Sequence, residues 1–83
     1  MTRTELIATI QPLARQLFSS PDLEITDQLG PANLPAWTSL TFTQLLTALE
    51  DTLNIKYKMM EIIKMQNMGA IIDITMQHLA AND

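Results

Sequence analysis

Apolar residues near the start of the chain recur with the period of an α-helix. Their spacing of three or four positions places them on one helical face: Leu6, Ile7, Ile10, Leu13, Ala14 and Leu17. Thr2, followed three residues later by Glu5, forms the pattern of a capping box, in which each side chain accepts a hydrogen bond from the other residue's backbone N–H. Pro12 removes one backbone hydrogen bond within this segment, so we expect a helix that is kinked there.

The helical period disappears between residues 19 and 36. This segment holds Gly30 and three of the 4 prolines, which predicts a long loop between the first and second helices. Loops of this length in compact domains are usually functional or are held down by their own apolar side chains. Four residues are suited to that packing: Leu23, Ile25, Leu29 and Leu34.

Helical patterns return in the second half of the chain. A second helix is predicted over Ser39–Leu53, with Thr38 as its N-cap. A link over residues 54–58 leads to a brief helical turn at residues 59–65, and a last helix follows over residues 67–80, capped by Asn67. No segment shows a convincing alternation typical of a strand. The pattern predicts an all-α bundle of three main helices plus one short helix.

The length and composition restrict what such a chain can do. With 83 residues it is predicted to form a single domain over 1–83, with little room for a deep catalytic cleft. It contains no cysteine and one histidine, His78, so we expect no disulfide, no metal site and no Ser/His/Asp arrangement. No Gly-rich phosphate loop is present either. We therefore expect that the protein is not an enzyme.

The charge balance argues against several classes of partner. The net charge is -4, from 9 carboxylates against 5 basic residues, and no Lys/Arg cluster is available to neutralise the phosphates of a nucleic acid. No apolar run approaches the roughly 18 to 20 residues that span a bilayer, and the N-terminus lacks a signal-peptide pattern. We expect a cytoplasmic protein that binds no nucleic acid and does not insert into a membrane.

The predicted order of helices and the residues around Ser39 resemble the acyl carrier protein family. That family has an Asp-Ser-Leu signature at the start of its second helix, and one branch of free-standing carriers places a Trp just before it. Here residues 34–40 read LPAWTSL, followed by QLL at 44–46 and ALED at 48–51. LNIKY at 53–57 resembles the link out of the second helix, and MGAI at 68–71 resembles the start of the last one.

This resemblance implies that Ser39 receives 4′-phosphopantetheine from coenzyme A as a phosphodiester. The thiol of the arm would carry acyl groups as thioesters between enzymes, with Trp37, Thr38 and Leu40 beside the attachment point. A phosphate at a helix N-terminus lies near unpaired N–H groups and the positive end of the helix dipole. This interaction stabilises an anion by about 0.3 to 1 kcal/mol at an exposed site. The implied partners of a monomeric carrier are a phosphopantetheinyl transferase and acyl-transferring or acyl-activating enzymes.

Two departures from the family pattern leave alternatives open. Thr38 stands where the family has Asp, so a negative charge that helps the transferase and its metal ion engage is missing. A carrier-like module that is never modified, and acts only by docking, is the alternative. The cargo also stays open between fatty-acid synthesis, polyketide assembly and the modification of surface polysaccharides or lipids.

The second departure concerns the face that contacts partner enzymes. Carriers of this family typically line their second helix with Asp and Glu, but here Thr and Gln replace many of these, which predicts weaker electrostatic steering. We expect partner contacts at the following residues: Leu40, Gln44, Glu50, Asp51 and Met59. A solvated face is the simpler interpretation of Glu50 and Asp51.

Several other side chains have a functional and a purely structural interpretation. Trp37 is expected to pack the loop onto the core rather than to contact the arm. His78 suits the C-terminal end of a helix, where a cation is mildly favourable. Four clustered methionines form either an adaptable acyl pocket or ordinary core and surface: Met59, Met60, Met65 and Met68. Because Met59 and Met60 cannot both face inward on one short turn, we expect one of them to be exposed.

Overall fold

A computed structural model describes residues 1–81. It contains four helices, namely α1 (Arg3–Leu17), α2 (Ser39–Leu53), α3 (Met59–Ile63) and α4 (Met68–Ala81). Within these residues there is no β-strand. The predicted all-α fold, with three main helices, one short helix and a long loop between the first two, is confirmed.

Helix α1 begins with the capping box that the sequence predicts. The Thr2 side chain accepts from the Glu5 N–H at 3.1 Å, and the Glu5 carboxylate accepts from the Thr2 N–H at 2.8 Å. Pro12 lies inside α1, which continues to Leu17 as one helix and does not split at Gln11. Pro12 is exposed, so water can satisfy the carbonyl that loses its partner. A kink at Pro12 stays a prediction.

The core lies where α1 packs against both α2 and α4. Its fully buried side chains come from these helices at the predicted helical spacing, with further contributions from the loop and from the link after α2. The largest of them are Phe18, Leu6, Ile10, Leu45, Leu49, Met68, Ile71, Ile72 and Thr75.

The long loop is fixed to the start of α4 by backbone hydrogen bonds. The N–H of Met68 donates to the Leu29 carbonyl at 2.7 Å, and the N–H of Gly69 donates to the Asp27 carbonyl at 3.0 Å. The Asn67 side chain accepts from the Ala70 N–H at 2.9 Å, which confirms Asn67 as the cap. The N–H groups that a helix leaves without intrahelical partners are thus used to hold the loop.

Side chains of the loop complete this attachment. Leu29 is buried, and three other apolar loop residues, as predicted, are half-buried against the core: Leu23, Ile25 and Leu34. Arg3 joins three parts of the chain, because its guanidinium contacts Asp27 of the loop at 2.7 Å and Asp73 of α4 at 2.6 Å. Exposed ion pairs of this kind contribute little individually, so the apolar packing does more than Arg3 to hold the loop in place.

The one buried polar side chain among the described core residues has a complete set of partners. The Thr75 hydroxyl donates to the Ile71 carbonyl at 2.6 Å and lies 2.6 Å from the Tyr57 hydroxyl. Because the single hydroxyl proton of Thr75 is used on Ile71, Tyr57 must donate to Thr75. Burial raises the pKa of Tyr57, so this donor stays protonated at neutral pH.

A helix that crosses a bilayer must be both long and apolar. Across residues 1–81, none of the helices combines the length and the apolar character needed to cross a membrane.

Candidate functional site

The N-terminus of α2 is closed by a capping box between two threonines. The Thr38 side chain accepts from the Thr41 N–H at 3.2 Å, and the Thr41 hydroxyl accepts from the Thr38 N–H at 2.8 Å. The Thr41 hydroxyl lies 2.6 Å from the Ala36 carbonyl, to which it donates. Thr38 is therefore the N-cap, as predicted. The sequence analysis did not predict that Thr41 completes the capping box, although two threonines three residues apart match the spacing of that motif.

Ser39 is the first residue of α2, and it is exposed. The Thr38 and Thr41 N–H groups are used by the capping box, and the Phe42 N–H donates to the Thr38 carbonyl at 2.9 Å. The N–H groups of Ser39 and Leu40 precede the first intrahelical hydrogen bonds and point towards the helix end. The first turn of α2 carries no acidic side chain. An anion held on the Ser39 oxygen would meet two N–H donors, the positive end of the helix and no repelling carboxylate.

An open depression of about 350 Å³ borders Ser39. It is lined by residues of the loop and of the first turn of α2: Pro31, Trp37, Thr38, Ser39 and Phe42. A chain attached at Ser39 therefore has both solvent and a partly apolar wall next to its first atoms.

Trp37 is only 7% exposed and lies between two other aromatic rings. It stacks on Phe18 with 5.6 Å between the ring centroids and on Phe42 with 5.9 Å. The expectation that Trp37 packs the loop onto the core is confirmed. The same side chain lines the depression next to Ser39, so the packing that holds the loop also forms part of the wall of this depression.

Most of the residues predicted to contact partners lie on the surface. Leu40 is 67% exposed and Met59 is 76% exposed, and both Gln44 and Asp51 are exposed as well. Covering large apolar side chains with this exposure removes their surface from water, which favours the binding of a partner.

Glu50 differs from the solvated carboxylate that we expected. It is half-buried, and its carboxylate accepts a hydrogen bond from the Tyr57 N–H at 2.9 Å. This contact fixes the link between α2 and α3, because the carboxylate reaches a backbone donor seven positions further along the chain. The solvated face expected for Glu50 and Asp51 is therefore present at Asp51, whereas Glu50 uses part of its surface within the fold.

The four methionines do not form one cluster. Met65 and Met68 are buried in the core, whereas Met59 and Met60 are exposed. The expectation that Met59 and Met60 would not both face inward is confirmed, and in fact both are exposed. Both point outward because α3 turns its opposite side, with Ile62, towards the core.

His78 has a partner that the sequence did not indicate. It lies in the last turn of α4, as expected for a helix-favoured cation, and its Nε2 is 2.8 Å from Glu61 Oε1 of α3. The same oxygen accepts from the Lys58 N–H at 2.7 Å. The Lys58 N–H, and then His78, lower the pKa of Glu61 below its usual value. Glu61 thus connects α3 to α4.

Comparison with known proteins gives an informative structural match. No family model matches the chain, and no curated protein matches it. The chain is similar to a structure solved by NMR in solution, a holo acyl carrier protein from Geobacter metallireducens, with 28% identity and a TM-score of 0.84. The match covers 92% of this chain and 87% of the other. The match in fold and in sequence confirms the resemblance to the acyl carrier protein family that the residues around Ser39 indicate.

Proposed function

We propose that this protein is an acyl carrier whose 4′-phosphopantetheine arm is attached to Ser39. The observation that carries the proposal is an exposed serine hydroxyl at the first position of α2, in a fold similar to that of a holo acyl carrier protein. The arm supplies a thiol that holds an acyl group as a thioester. The same proposal takes residues 1–83 as one carrier domain that works as a cytoplasmic monomer.

The proposed modification is a transfer between coenzyme A and Ser39. The Ser39 oxygen would form a new bond to the phosphorus that carries the pantetheine, the bond to the nucleotide half would break, and a nucleoside bisphosphate would leave. The hydroxyl proton passes to a base of the transferase. The carrier itself needs no base for this step, which suits a serine with no titratable residue in its own helical turn.

The residues around Ser39 fit the charge and shape of the attached group. The product is a phosphodiester with one negative charge, and the N–H groups of Ser39 and Leu40 lie at the helix end that favours an anion. The depression lined by Trp37 and Phe42 gives the first part of the arm an apolar surface. Leu40 is exposed next to the attachment point, where an acyl-transferring enzyme would approach.

The test is modification by a broad-specificity phosphopantetheinyl transferase with coenzyme A, followed by intact-mass analysis. We expect the mass of the protein to rise by one phosphopantetheine group. Ser39→Ala should abolish this gain, and Ser20→Ala should retain it, because Ser20 donates to the Phe18 carbonyl within the loop. A gain that persists in Ser39→Ala would place the arm elsewhere and contradict the proposal.

A second candidate function is a carrier-like module that docks on partners without being modified. It is favoured by Thr38, which stands where the family signature has Asp and so offers no carboxylate beside Ser39. Under this alternative the intact mass stays unchanged both with the purified transferase and after isolation from cells of the native source. A mass gain in either sample would exclude it.

A further inference from the structure

Helix α3 presents three large apolar side chains to solvent. Met59 is 76%, Met60 67% and Ile63 65% exposed. With about 100° per residue, these three positions fall within an arc of roughly 100° on one side of the helix, while Glu61 and Ile62 face the rest of the protein. No α3 residue is fully buried. A short helix therefore turns a continuous apolar strip outward.

Lysines surround this strip. Lys58 is the N-cap of α3 and Lys64 is its C-cap, while Lys56 lies in the preceding link. All three are exposed. We call these three lysines, together with Met59, Met60 and Ile63, the α3 surface.

The charge of the α3 surface is opposite to that of the whole molecule. Residues 54–66 hold three lysines and one carboxylate, a local net charge of +2, in a chain whose net charge is -4. That carboxylate, Glu61, is already hydrogen-bonded to the Lys58 N–H and to His78.

The lysines also differ from the other cations of the molecule. Arg3 pairs with two carboxylates and Arg15 pairs with Glu24, whereas the salt bridges of residues 1–81 include none of the three lysines. At the N-cap of α3, the positive charge of Lys58 faces the positive end of the helix dipole, which is unfavourable, and it acts on Glu61 without forming a salt bridge.

We propose that the α3 surface docks on a partner protein through an apolar patch rimmed by carboxylates. The exposed apolar strip would supply the buried centre of the interface, and the lysine rim would supply orientation and association rate. Here the carrier surface is basic and the partner patch is acidic. The family shows the opposite arrangement, in which an acidic second helix docks on basic patches. The inference goes beyond the proposed function, because docking here does not require that Ser39 be modified.

Two other occupants fit the observations less well. An anionic membrane would attract the three lysines, but it would repel a molecule with a net charge of -4, and a helix of five residues offers little apolar area for insertion. A second copy of the chain would need an exposed apolar patch with an acidic rim. The other large exposed apolar residues of the described chain are Met1 and Leu40. Leu40 lies in a helical turn without an acid, and Met1 is a single side chain ahead of a helical turn that holds one acid, Glu5.

The experiment uses defined probes and the full chain carrying Ser39→Ala, so that its outcome is independent of the modification. The probes are two amphipathic peptides, held helical by a side-chain staple, with the same leucine face and either Glu or Lys at every polar position. Binding is followed by chemical-shift changes in two-dimensional NMR spectra. We expect the Glu peptide to bind with shifts confined to residues 56–64, with an affinity that falls as salt rises, and the Lys peptide to leave these signals unchanged.

Two variants separate the charge of the surface from the charge of the molecule. A triple lysine-to-glutamine variant at 56, 58 and 64 should weaken binding of the Glu peptide about tenfold. The control lowers the net charge equally by introducing Glu at three exposed positions of α1: Thr4→Glu, Ala8→Glu and Gln16→Glu. The control should retain most of the binding.

Each remaining outcome would overturn the proposal. These are binding of the two peptides with equal affinity, shifts outside the α3 surface, or no binding of the Glu peptide. Binding to vesicles of anionic but not zwitterionic lipid, without binding of the Glu peptide, would assign the surface to a membrane. A dimer in sedimentation that is lost on Met59→Ser/Met60→Ser would assign it to a second copy.

Discussion

Thr38 stabilises the fold through its hydroxyl oxygen, whereas its lack of charge would affect the modification of Ser39. Its hydroxyl oxygen accepts the Thr41 N–H, which any good cap can do, but the side chain carries no charge. The structural and chemical effects of this residue can therefore be separated by substitution. In the same way, Ser39 keeps its position through neighbours, because Trp37 and Thr41 fix the loop from which α2 begins.

Thr38→Asp should raise the rate of modification by the transferase while leaving stability within about 0.5 kcal/mol of the wild type, since Asp and Thr are both good caps. Thr38→Asn is the matched control, because it caps the helix without adding a charge. It should leave the rate unchanged. Rates are read by intact mass against time, and stability by urea unfolding. Equal acceleration by Asp and Asn would show that capping, and not charge, limits modification.

Thr38→Ala tests the structural role alone. Loss of the cap should lower the free energy of unfolding by about 1 kcal/mol. Urea unfolding measures this change, and Thr47→Ala is the control at an exposed position of the same helix. A loss no larger than that of the control would show that the Thr38–Thr41 capping box does not stabilise α2.

Among the elements, α3 is the one held by the fewest contacts. Ile62 packs against the core, and Glu61 joins both the start of α3 and His78 of α4. The pKa of Glu61 is lowered, first by the Lys58 N–H and then by His78. A carboxylate whose pKa is lower in the folded state stabilises that state above its unfolded pKa, and this contribution is lost as the pH falls through the folded pKa.

The pH dependence of α3 should therefore depend on Glu61. We expect the amide signals of residues 58–63 to shift only after the pH has fallen below the usual pKa of Glu, about 4.3, because the pKa of Glu61 is lowered. Glu61→Gln should remove most of this shift, because the amide oxygen can still accept from Lys58 without titrating. Glu24→Gln, at an exposed carboxylate paired with Arg15, is the control and should leave the response of α3 intact. An unchanged response in Glu61→Gln would contradict this assignment.

The sequence predicted the helices well because their signals are local. The 3.6-residue period, the Thr2–Glu5 capping box and the Thr38 cap all act within a few positions, and the structure confirms each of them. The contacts of Glu50 and Glu61 were missed because they join residues 7 and 17 positions apart. Such pairs become neighbours only after the helices have packed.

In the candidate site too, the features set by nearby residues were predicted and those set by distant residues were not. The position of Ser39 at the start of α2 followed from the sequence pattern and the family resemblance, and the structure agrees on its place and exposure. The depression beside it could not be predicted, because it combines Pro31 of the loop with residues of α2, which come together only in the folded chain.

At the scale of the whole molecule, the long loop is a structural part of the bundle. Its carbonyls accept from the first N–H groups of α4, and Arg3 of α1 pairs with the Asp27 carboxylate of the loop. Gly69 allows the close approach, since a Cβ at this position would lie 3.0 Å from the Asp27 Cβ and 3.1 Å from the Asp27 carbonyl oxygen. The fold therefore depends on a glycine within a helix, where that residue is normally unfavourable.

Gly69→Ala tests this dependence by the sign of its effect. Helix propensity alone would stabilise the protein by up to about 1 kcal/mol. We expect instead a net loss of about 1 to 2 kcal/mol, because Asp27 is fixed by its backbone hydrogen bond and cannot move away cheaply. Urea unfolding measures the change, and Gln77→Gly at an exposed position of α4 measures the propensity contribution separately. A stabilised Gly69→Ala variant would contradict the close approach.

The aromatic stack beside Ser39 has a practical consequence. Trp37 is the single tryptophan of the chain, and it lies two positions before the proposed attachment point, with one side forming part of the depression. Its fluorescence therefore comes from one defined place, where the polarity around the indole changes with whatever occupies that space. Trp37 is therefore a natural optical reporter for the proposed loading at Ser39, with no dye or label to disturb the surfaces that partners would contact.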